Sequence, residues 1–122
     1  MEKELQLISD TIWMQYSMLI PEMRNFDKPL IVFNNRLKTT AGRCFCELNK
    51  IDISTSLYKE FKQEFILDTI PHEIAHQIDY NLNGRSKQFH GPNWKRIMCL
   101  YGIEPNTYHN YIQMRADRKL IK

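Results

Sequence analysis

The chain has 122 residues, a net charge of +3, and a composition of 43% apolar and 25% charged residues. This length suits one domain with one core, and the composition is typical of folded globular proteins rather than disordered ones. No apolar run approaches the roughly 18 residues of a membrane span, and the alternating charges at the N-terminus do not resemble a signal peptide. We therefore expect one cytoplasmic domain over residues 1–122, monomeric by default, with a frayed basic tail at about 113–122.

The first predicted element is an amphipathic helix in KELQLISDTIWMQYSMLI, residues 3–20. Its apolar residues recur at helical spacing and form one stripe: Leu5, Ile8, Ile12, Tyr16 and Leu19. Pro21 is a natural stop for this helix.

Three segments rich in β-branched and aromatic residues come next. They are PLIVFNN (29–35), AGRCFCEL (41–48) and KIDIS (50–54), and turn-forming residues separate them. This pattern predicts a three-stranded, mainly antiparallel sheet. Gly42, at the start of the second segment, indicates a bulge or a close backbone approach.

Two further helices are predicted after the sheet. The first covers about residues 61–82 and buries Phe65, Ile66, Ile70, Ile74 and Ile78. Pro71 lies inside it, so we expect a kink or a break there. The second begins at Pro92, ends at Gly102, and buries Trp94, Ile97, Met98 and Tyr101. The order helix, sheet, helix, helix indicates an α+β fold.

Three of the four histidines lie within residues 72–90. HEIAH, residues 72–76, places two of them four residues apart on the predicted helix, so both imidazoles can reach one ion. Glu73 is rotated round the helix and lies beside that ion, where a base can take a proton from metal-bound water. The alternative interpretation is a pair of helix histidines held by local hydrogen bonds.

His90, in the segment HGPNW (90–94), is the expected third ligand. After the helix ends at Asn83-Gly84, the chain has room to turn back to the same ion, and Trp94 can anchor the loop. A catalytic zinc site has three protein ligands in tetrahedral geometry and keeps one position open. A glutamate third ligand would have to be Glu104, beyond the last predicted helix, and we favour His90.

Most of the chain resembles the SprT-like metallopeptidases, which include bacterial SprT proteins and animal Spartan. The segments that carry the resemblance are FNNRL, TAGRC, IDIS, LDTIPHEIAHQID, HGPNW and GIEPNTYHNY. The resemblance implies a zincin-like fold with one zinc ion, with His72, His76 and His90 as ligands and Glu73 as the catalytic residue. No C-x-x-C pair is present for the zinc ribbon of many bacterial relatives, so we expect a minimal catalytic domain.

The activity that the resemblance implies is that of a zinc metalloprotease. Such an endopeptidase hydrolyses peptide bonds by glutamate-assisted attack of zinc-bound water, and its protein substrates include DNA-associated or DNA-crosslinked proteins. KIDIS, if it is the sheet edge nearest the zinc, is expected to hold the substrate backbone by strand addition. An oxyanion donor is expected among four residues chosen by position only: Tyr101, Tyr108, His109 and Tyr111.

The charge is distributed unevenly along the chain. Residues 1–84 contain 9 basic and 12 acidic side chains, whereas residues 85–122 contain 8 basic and 2 acidic ones. A basic C-terminal third is able to contact DNA, although a solvated face explains it equally. The candidate contacts are Arg85, Lys87, Lys95, Arg96, Arg115, Arg118 and Lys119.

Two other functions fit the same motifs. A non-catalytic zinc module would use the ion only to stabilise a domain that binds DNA or a protein, and Glu73 would then have no role. A regulatory protease that cuts a single repressor is the second alternative.

Cys44 and Cys46 form C-x-C, which we interpret as small buried side chains rather than as metal ligands.

Overall fold

The computed structural model of the protein describes residues 1–85, 90–105 and 111. Its elements in chain order are helix α1 (Glu2–Leu19), strands β1 (Leu30–Asn34), β2 (Gly42–Phe45) and β3 (Lys50–Ser54), and helices α2 (Thr55–Glu60), α3 (Lys62–Glu64), α4 (Ile70–Asn83) and α5 (Pro92–Tyr101). Short 3₁₀ helices occupy Pro21–Asn25 and Cys46–Leu48, and a π-helical turn occupies Phe65–Thr69. This order confirms the predicted α+β class.

The sheet is mixed rather than mainly antiparallel, and its strand order is β1-β3-β2. β3 pairs with β1 in parallel and with β2 in antiparallel orientation. KIDIS is thus the central strand, so the condition on which it was expected to hold a substrate backbone, a position at the sheet edge, is not met. Its alternating pattern does not reflect an exposed face, because Asp52 is buried at 5% exposure along with the isoleucines on either side of it. Asn34 donates a hydrogen bond to this carboxylate, and such pairing makes the burial of a charge tolerable.

The predicted helix over 61–82 is broken, as Pro71 indicated. A wider π-helical turn, Phe65–Thr69, precedes α4, and Pro71 lies in the first turn of α4. Thr69 and Ile70 already have helical dihedrals, so the chain is helical on both sides of this proline. A proline ring crowds the carbonyl four residues earlier and removes one hydrogen bond, and the wider turn lies at that place. Tyr16 of α1 donates a 3.0 Å hydrogen bond to the carbonyl of Pro71, which fixes the start of α4 against α1.

The core lies between the sheet, α1 and the helices that follow β3. Its largest fully buried side chains are Trp94, Tyr16, Tyr58, Phe61, Phe65, Leu5, Met23, Ile31, Ile51, Ile53, Leu57 and Ile70. Leu19 was predicted to join the buried stripe of α1, but it is 46% exposed. Burial of Leu5, Ile12 and Tyr16 is confirmed, and this stripe holds α1 against β1, α4 and α5.

Helix α5 begins and ends where the sequence predicts. Pro92 occupies its first turn, and Gly102 ends it in the left-handed conformation, φ +95°, which glycine adopts most readily. Trp94, Ile97 and Met98 are buried against α4. In the described ranges, no helix combines the length and the apolar content that a bilayer crossing demands.

Candidate metal centre

The buried face of α4 carries both histidines of the H-E-x-x-H motif. His72 and His76 are each 3% exposed. Their Nε2 atoms lie 3.2 Å apart, because residues four apart lie one above the other on a helix. Two imidazole nitrogens are thus aimed at one point at the surface of the helix.

His90 completes a three-histidine cluster. One ring nitrogen from each of His72, His76 and His90 lies within 4.8 Å of the others. Zinc–nitrogen bonds of about 2.0–2.1 Å in tetrahedral geometry separate two ligand atoms by about 3.4 Å. The 3.2 Å between the first two nitrogens is close to this value. The donor set and its spacing therefore fit a divalent ion such as zinc.

Trp94 supports all three rings. Its indole stacks on His76, with ring centroids 5.0 Å apart and an interplanar angle of 12°. It meets His72 and His90 edge-on at 4.8 Å and 4.7 Å. Its Nε1 also donates a 3.3 Å hydrogen bond to the backbone carbonyl of His72. Helix α5 thus orients the cluster through this one side chain.

Glu73 lies beneath β2, with its Cγ next to Gly42. Its side chain is 6% exposed, and no described residue donates a hydrogen bond to its buried Oε2. The pKa of Glu73 is raised to about 8, mainly by burial and in part by the nearby Cys46, against the opposing effect of the Arg43 guanidinium. A carboxyl group with a raised pKa and a free oxygen is suited to exchange a proton near neutral pH.

Gly42 permits the close approach of β2 to Glu73. A Cβ atom at this position would lie 3.1 Å from Cγ of Glu73 and 3.3 Å from the carbonyl oxygen of Asp52. Both contacts are tighter than ordinary van der Waals distances, so only a residue without a side chain fits without movement. The close backbone approach predicted for Gly42 is confirmed.

β2 presents unpaired backbone groups at the edge of the sheet. The N–H of Ser54 donates to the carbonyl of Ala41, 2.8 Å away. Since hydrogen-bonded and non-hydrogen-bonded pairs alternate in an antiparallel ladder, Arg43 directs its backbone groups towards β3. Gly42 and Cys44 therefore direct theirs away from β3, to the edge that no described strand covers.

Gln77 is a residue of this region that the sequence analysis did not identify. It is 1% exposed, and its Nε2 donates to the carbonyl of Cys46 at 3.1 Å. The Cys44 Sγ contacts its Oε1 at 3.5 Å. Gln77 thus ties the end of β2 to α4. Its position four residues after Glu73, on the same helix face, was the available signal.

The two cysteines of C-x-C are half-buried rather than fully buried. Their Sγ atoms lie 3.0 Å apart, and the Cys46 Sγ lies 3.6 Å from the carbonyl oxygen of His76. The hydrogen bond with Cys46 and burial raise the pKa of Cys44, and the same bond lowers the pKa of Cys46. The pair therefore contacts α4 without belonging to the histidine cluster.

The described oxyanion candidates make internal contacts. The Tyr101 hydroxyl donates to the side chain of Gln15 in α1. The Tyr111 hydroxyl is hydrogen-bonded with Thr69, and its ring stacks on Phe65 with centroids 5.1 Å apart. Tyr108 and His109 lie outside the described residues. The oxyanion role of all four stays a prediction.

Three of the basic residues proposed to contact DNA are described. Arg85 is paired with Glu47 at the end of α4, and Lys95 and Arg96 are exposed neighbours on α5. The other candidates, Lys87, Arg115, Arg118 and Lys119, lie outside the described residues, as does the predicted tail at 113–122. The described candidates for DNA contact are thus two adjacent exposed cations, Lys95 and Arg96, and one cation, Arg85, that is paired with a carboxylate.

Comparison with known proteins identifies the family. The profile of the SprT-like family matches residues 11–109. The chain is 40% identical to Protein SprT of Vibrio parahaemolyticus over 89 residues, which covers 72% of this chain and 53% of that protein. It is 38% identical to Protein SprT of Pseudomonas savastanoi over 95 residues (77% and 57%) and 36% identical to that of Pseudomonas putida over 100 residues (80% and 60%).

These matches span little more than half the length of the curated relatives. No solved structure gives a significant match. The matched range contains the whole H-E-x-x-H segment, His90 and Trp94. The chain therefore belongs to the SprT-like family.

Proposed function

We propose that this protein is a zinc-dependent endopeptidase. The observation that carries the proposal is the convergence of three imidazole nitrogens within 4.8 Å beside a buried glutamate whose Oε2 accepts no hydrogen bond from a described residue. Three nitrogen ligands and one open position are the arrangement of catalytic zinc sites, whereas structural zinc sites use four protein ligands. The zincin-like character of the fold is part of this proposal.

Each residue of the site has a distinct role in the proposed reaction. His72, His76 and His90 hold the ion, and Trp94 fixes the orientation of their rings. When bound, zinc supplies a Lewis acid that polarises the scissile carbonyl and makes water reactive near neutral pH. Glu73 takes a proton from the attacking water and delivers it to the departing amine.

Replacement of Glu73 by Gln tests this function. We expect Glu73→Gln to retain one equivalent of zinc and to lose peptide and casein hydrolysis by at least about a hundredfold, because general acid–base catalysis contributes about 10²–10⁴. Glu22→Gln, at an exposed carboxylate on the 3₁₀ helix after α1, is the matched control and should leave both properties unchanged. Equal behaviour of wild type and Glu73→Gln in every assay would favour the non-catalytic zinc module.

The substrate backbone is proposed to add to the free edge of β2. This moves the predicted strand addition from β3, which is central, to the strand that contacts Glu73. Gly42 and Cys44 offer alternate backbone groups, so an added strand should bond through every second residue. When the backbone amides of a cleaved peptide are N-methylated one at a time, methylation at every second residue should therefore block cleavage, and methylation at the residues between should not. Uniform tolerance along the peptide would contradict the strand addition.

DNA-associated or DNA-crosslinked proteins are the proposed substrates. The exposed pair Lys95 and Arg96 and the basic composition after residue 84 support this part of the proposal. DNA affinity should fall steeply with salt, and Lys95→Gln/Arg96→Gln should reduce that slope by about two. Absence of DNA binding at low salt would remove DNA from the proposal and leave a protease of free proteins, such as a repressor. Cytoplasmic location, one domain and a monomeric state stay predictions.

A further inference from the structure

An open pocket of about 600 Å³ lies next to the histidine cluster. It is formed by the end of β2, the 3₁₀ helix after it, and the C-terminal half of α4. His76 is one of its walls, so the pocket is continuous with the metal centre. The side chains that define its character are Cys44, Phe45, Cys46, Leu48 and Tyr80.

The interior of this pocket is mainly apolar, and the only charged carboxylate that the described residues place in its wall, besides the exposed Glu47, is that of Asp79. The Asp79 carboxylate accepts a 2.8 Å hydrogen bond from Asn83. Glu47 and Arg85 form an ion pair with each other, and their side chains are 58% and 81% exposed, which places them at the rim. The surfaces that remain are aromatic, aliphatic and thiol. An anionic group entering the pocket would lose its hydration and would meet the Asp79 carboxylate.

Leu48 marks the mouth of the pocket. It is 72% exposed, although it lies beside Phe45 and Tyr80, whose side chains also line the pocket. A single exposed leucine needs no explanation by itself. Here it extends an apolar surface from the rim to the wall that contains His76.

We propose that this pocket binds a large apolar side chain, aromatic or aliphatic, of the polypeptide substrate, within two residues of the scissile bond. The inference rests on the proposed peptidase function, and it adds the substrate class. A strand paired with the edge of β2 directs alternate side chains to one face. Cys44 belongs both to that edge and to the pocket wall, so a side chain on the facing side of the added strand enters the pocket. Pockets for alternate side chains are the usual source of specificity in strand addition.

The two pocket thiols allow a test that needs no catalysis. In a Glu73→Gln/Cys99→Ser protein, the exposed Cys99 is removed and Cys44 and Cys46 remain as the alkylation targets. Iodoacetamide modification, followed by mass spectrometry, is compared with and without peptides that differ at one position, Phe, Gly or Asp. We expect the Phe peptide to slow alkylation at least about fivefold and the Gly and Asp peptides to have little effect. Equal protection by all three peptides, or none by any, would overturn the pocket assignment.

Substitution of Leu48 provides a second test of the pocket, made in protein that retains Glu73. Leu48→Asp places a charge at the mouth and should lower kcat/KM about tenfold for Phe-containing peptides, while zinc content and Gly-containing peptides are unaffected. Leu7→Asp, at a leucine of α1 that is 69% exposed, is the matched control and should change neither. If Leu48→Asp affects Phe and Gly peptides equally, or no more than Leu7→Asp does, the assignment is wrong. Hydrolysis by wild type together with these negative results would refute the pocket alone, whereas no hydrolysis by wild type would refute the proposed function.

Discussion

Gly42 of β2 and Glu73 of α4 approach so closely that a methyl group on the glycine would lie 3.1 Å from Cγ of the glutamate. Gly42→Ala should therefore displace the carboxylate by a few tenths of an ångström. Small displacements of a catalytic group lower the rate strongly, so we expect kcat/KM for peptide hydrolysis to fall roughly tenfold or more. The loss of stability should be only about 1–2 kcal/mol. Zinc content should be unchanged, because the histidines do not move.

Gly102→Ala is the control for this experiment. Gly102 has φ +95° and no atom within 4 Å of an added Cβ, so its substitution is destabilising without any contact at the site. It should lower the melting temperature and leave kcat/KM intact. A similar activity loss in both variants would show that the effect of Gly42→Ala arises from stability rather than from Glu73.

Trp94→Phe tests the support of the histidine rings. Phenylalanine keeps an aromatic surface but cannot donate to the carbonyl of His72, and it covers less of the His76 ring. Loss of groups that orient metal ligands typically costs 10–100-fold in affinity. We expect zinc dissociation constants, measured by competition with a chromophoric chelator, to rise about tenfold.

The chain contains one other tryptophan, Trp13, which is half-buried on α1 and packs against the core. Trp13→Phe should reduce stability slightly and leave zinc affinity as in the wild type. The same two variants show which tryptophan reports zinc binding by fluorescence, because zinc should alter the emission of Trp94 and not that of Trp13. Unaltered zinc affinity in Trp94→Phe would contradict the orienting role.

Local patterns predicted the helices and the juxtaposition of His72 and His76 well, because both depend on contacts within a few residues. The i, i+4 histidines, the irregular turn before Pro71 and the end of α5 at Gly102 are of this kind. Strand order depends on partners far along the chain, and the alternation in KIDIS does not distinguish a half-exposed edge from a central strand with a buried, paired Asp52. Likewise, Gly42 indicated a close approach but not its partner.

His90→Ala tests the third ligand. The variant keeps His72 and His76 but loses one nitrogen from the cluster, so we expect zinc affinity to fall at least about a hundredfold and hydrolysis to disappear. His109→Ala removes the fourth histidine of the sequence, which is not among the predicted ligands, and should retain zinc at wild-type affinity. Far-ultraviolet circular dichroism checks that both variants keep their helices. Equal zinc affinity in the two variants would exclude His90 as a ligand.

Glu73 should also control the pH dependence of stability in protein stripped of metal by a chelator. Its pKa of about 8 in the fold exceeds the ordinary value of 4.5, so between these values the folded state holds a proton that the unfolded state has lost. The stabilisation is complete below about pH 4.5 and is lost as the pH rises through about 8. Arg43 and Cys46 face this carboxyl from β2 and the following 3₁₀ helix, and they are unchanged in Glu73→Gln.

Glu73→Gln cannot ionise at this position, so it separates the effect of this carboxyl from the titration of the neighbouring histidines. Between pH 5 and pH 9, wild type should lose at least about 2 kcal/mol more unfolding free energy than the variant, or about 8 °C in melting temperature. Comparison across pH cancels the fixed cost of burying the glutamine amide. Thermal unfolding in chelator at both pH values measures the difference. If the difference in unfolding free energy between the two proteins is the same at pH 5 and pH 9, the carboxylate is solvated or partnered in the metal-free fold.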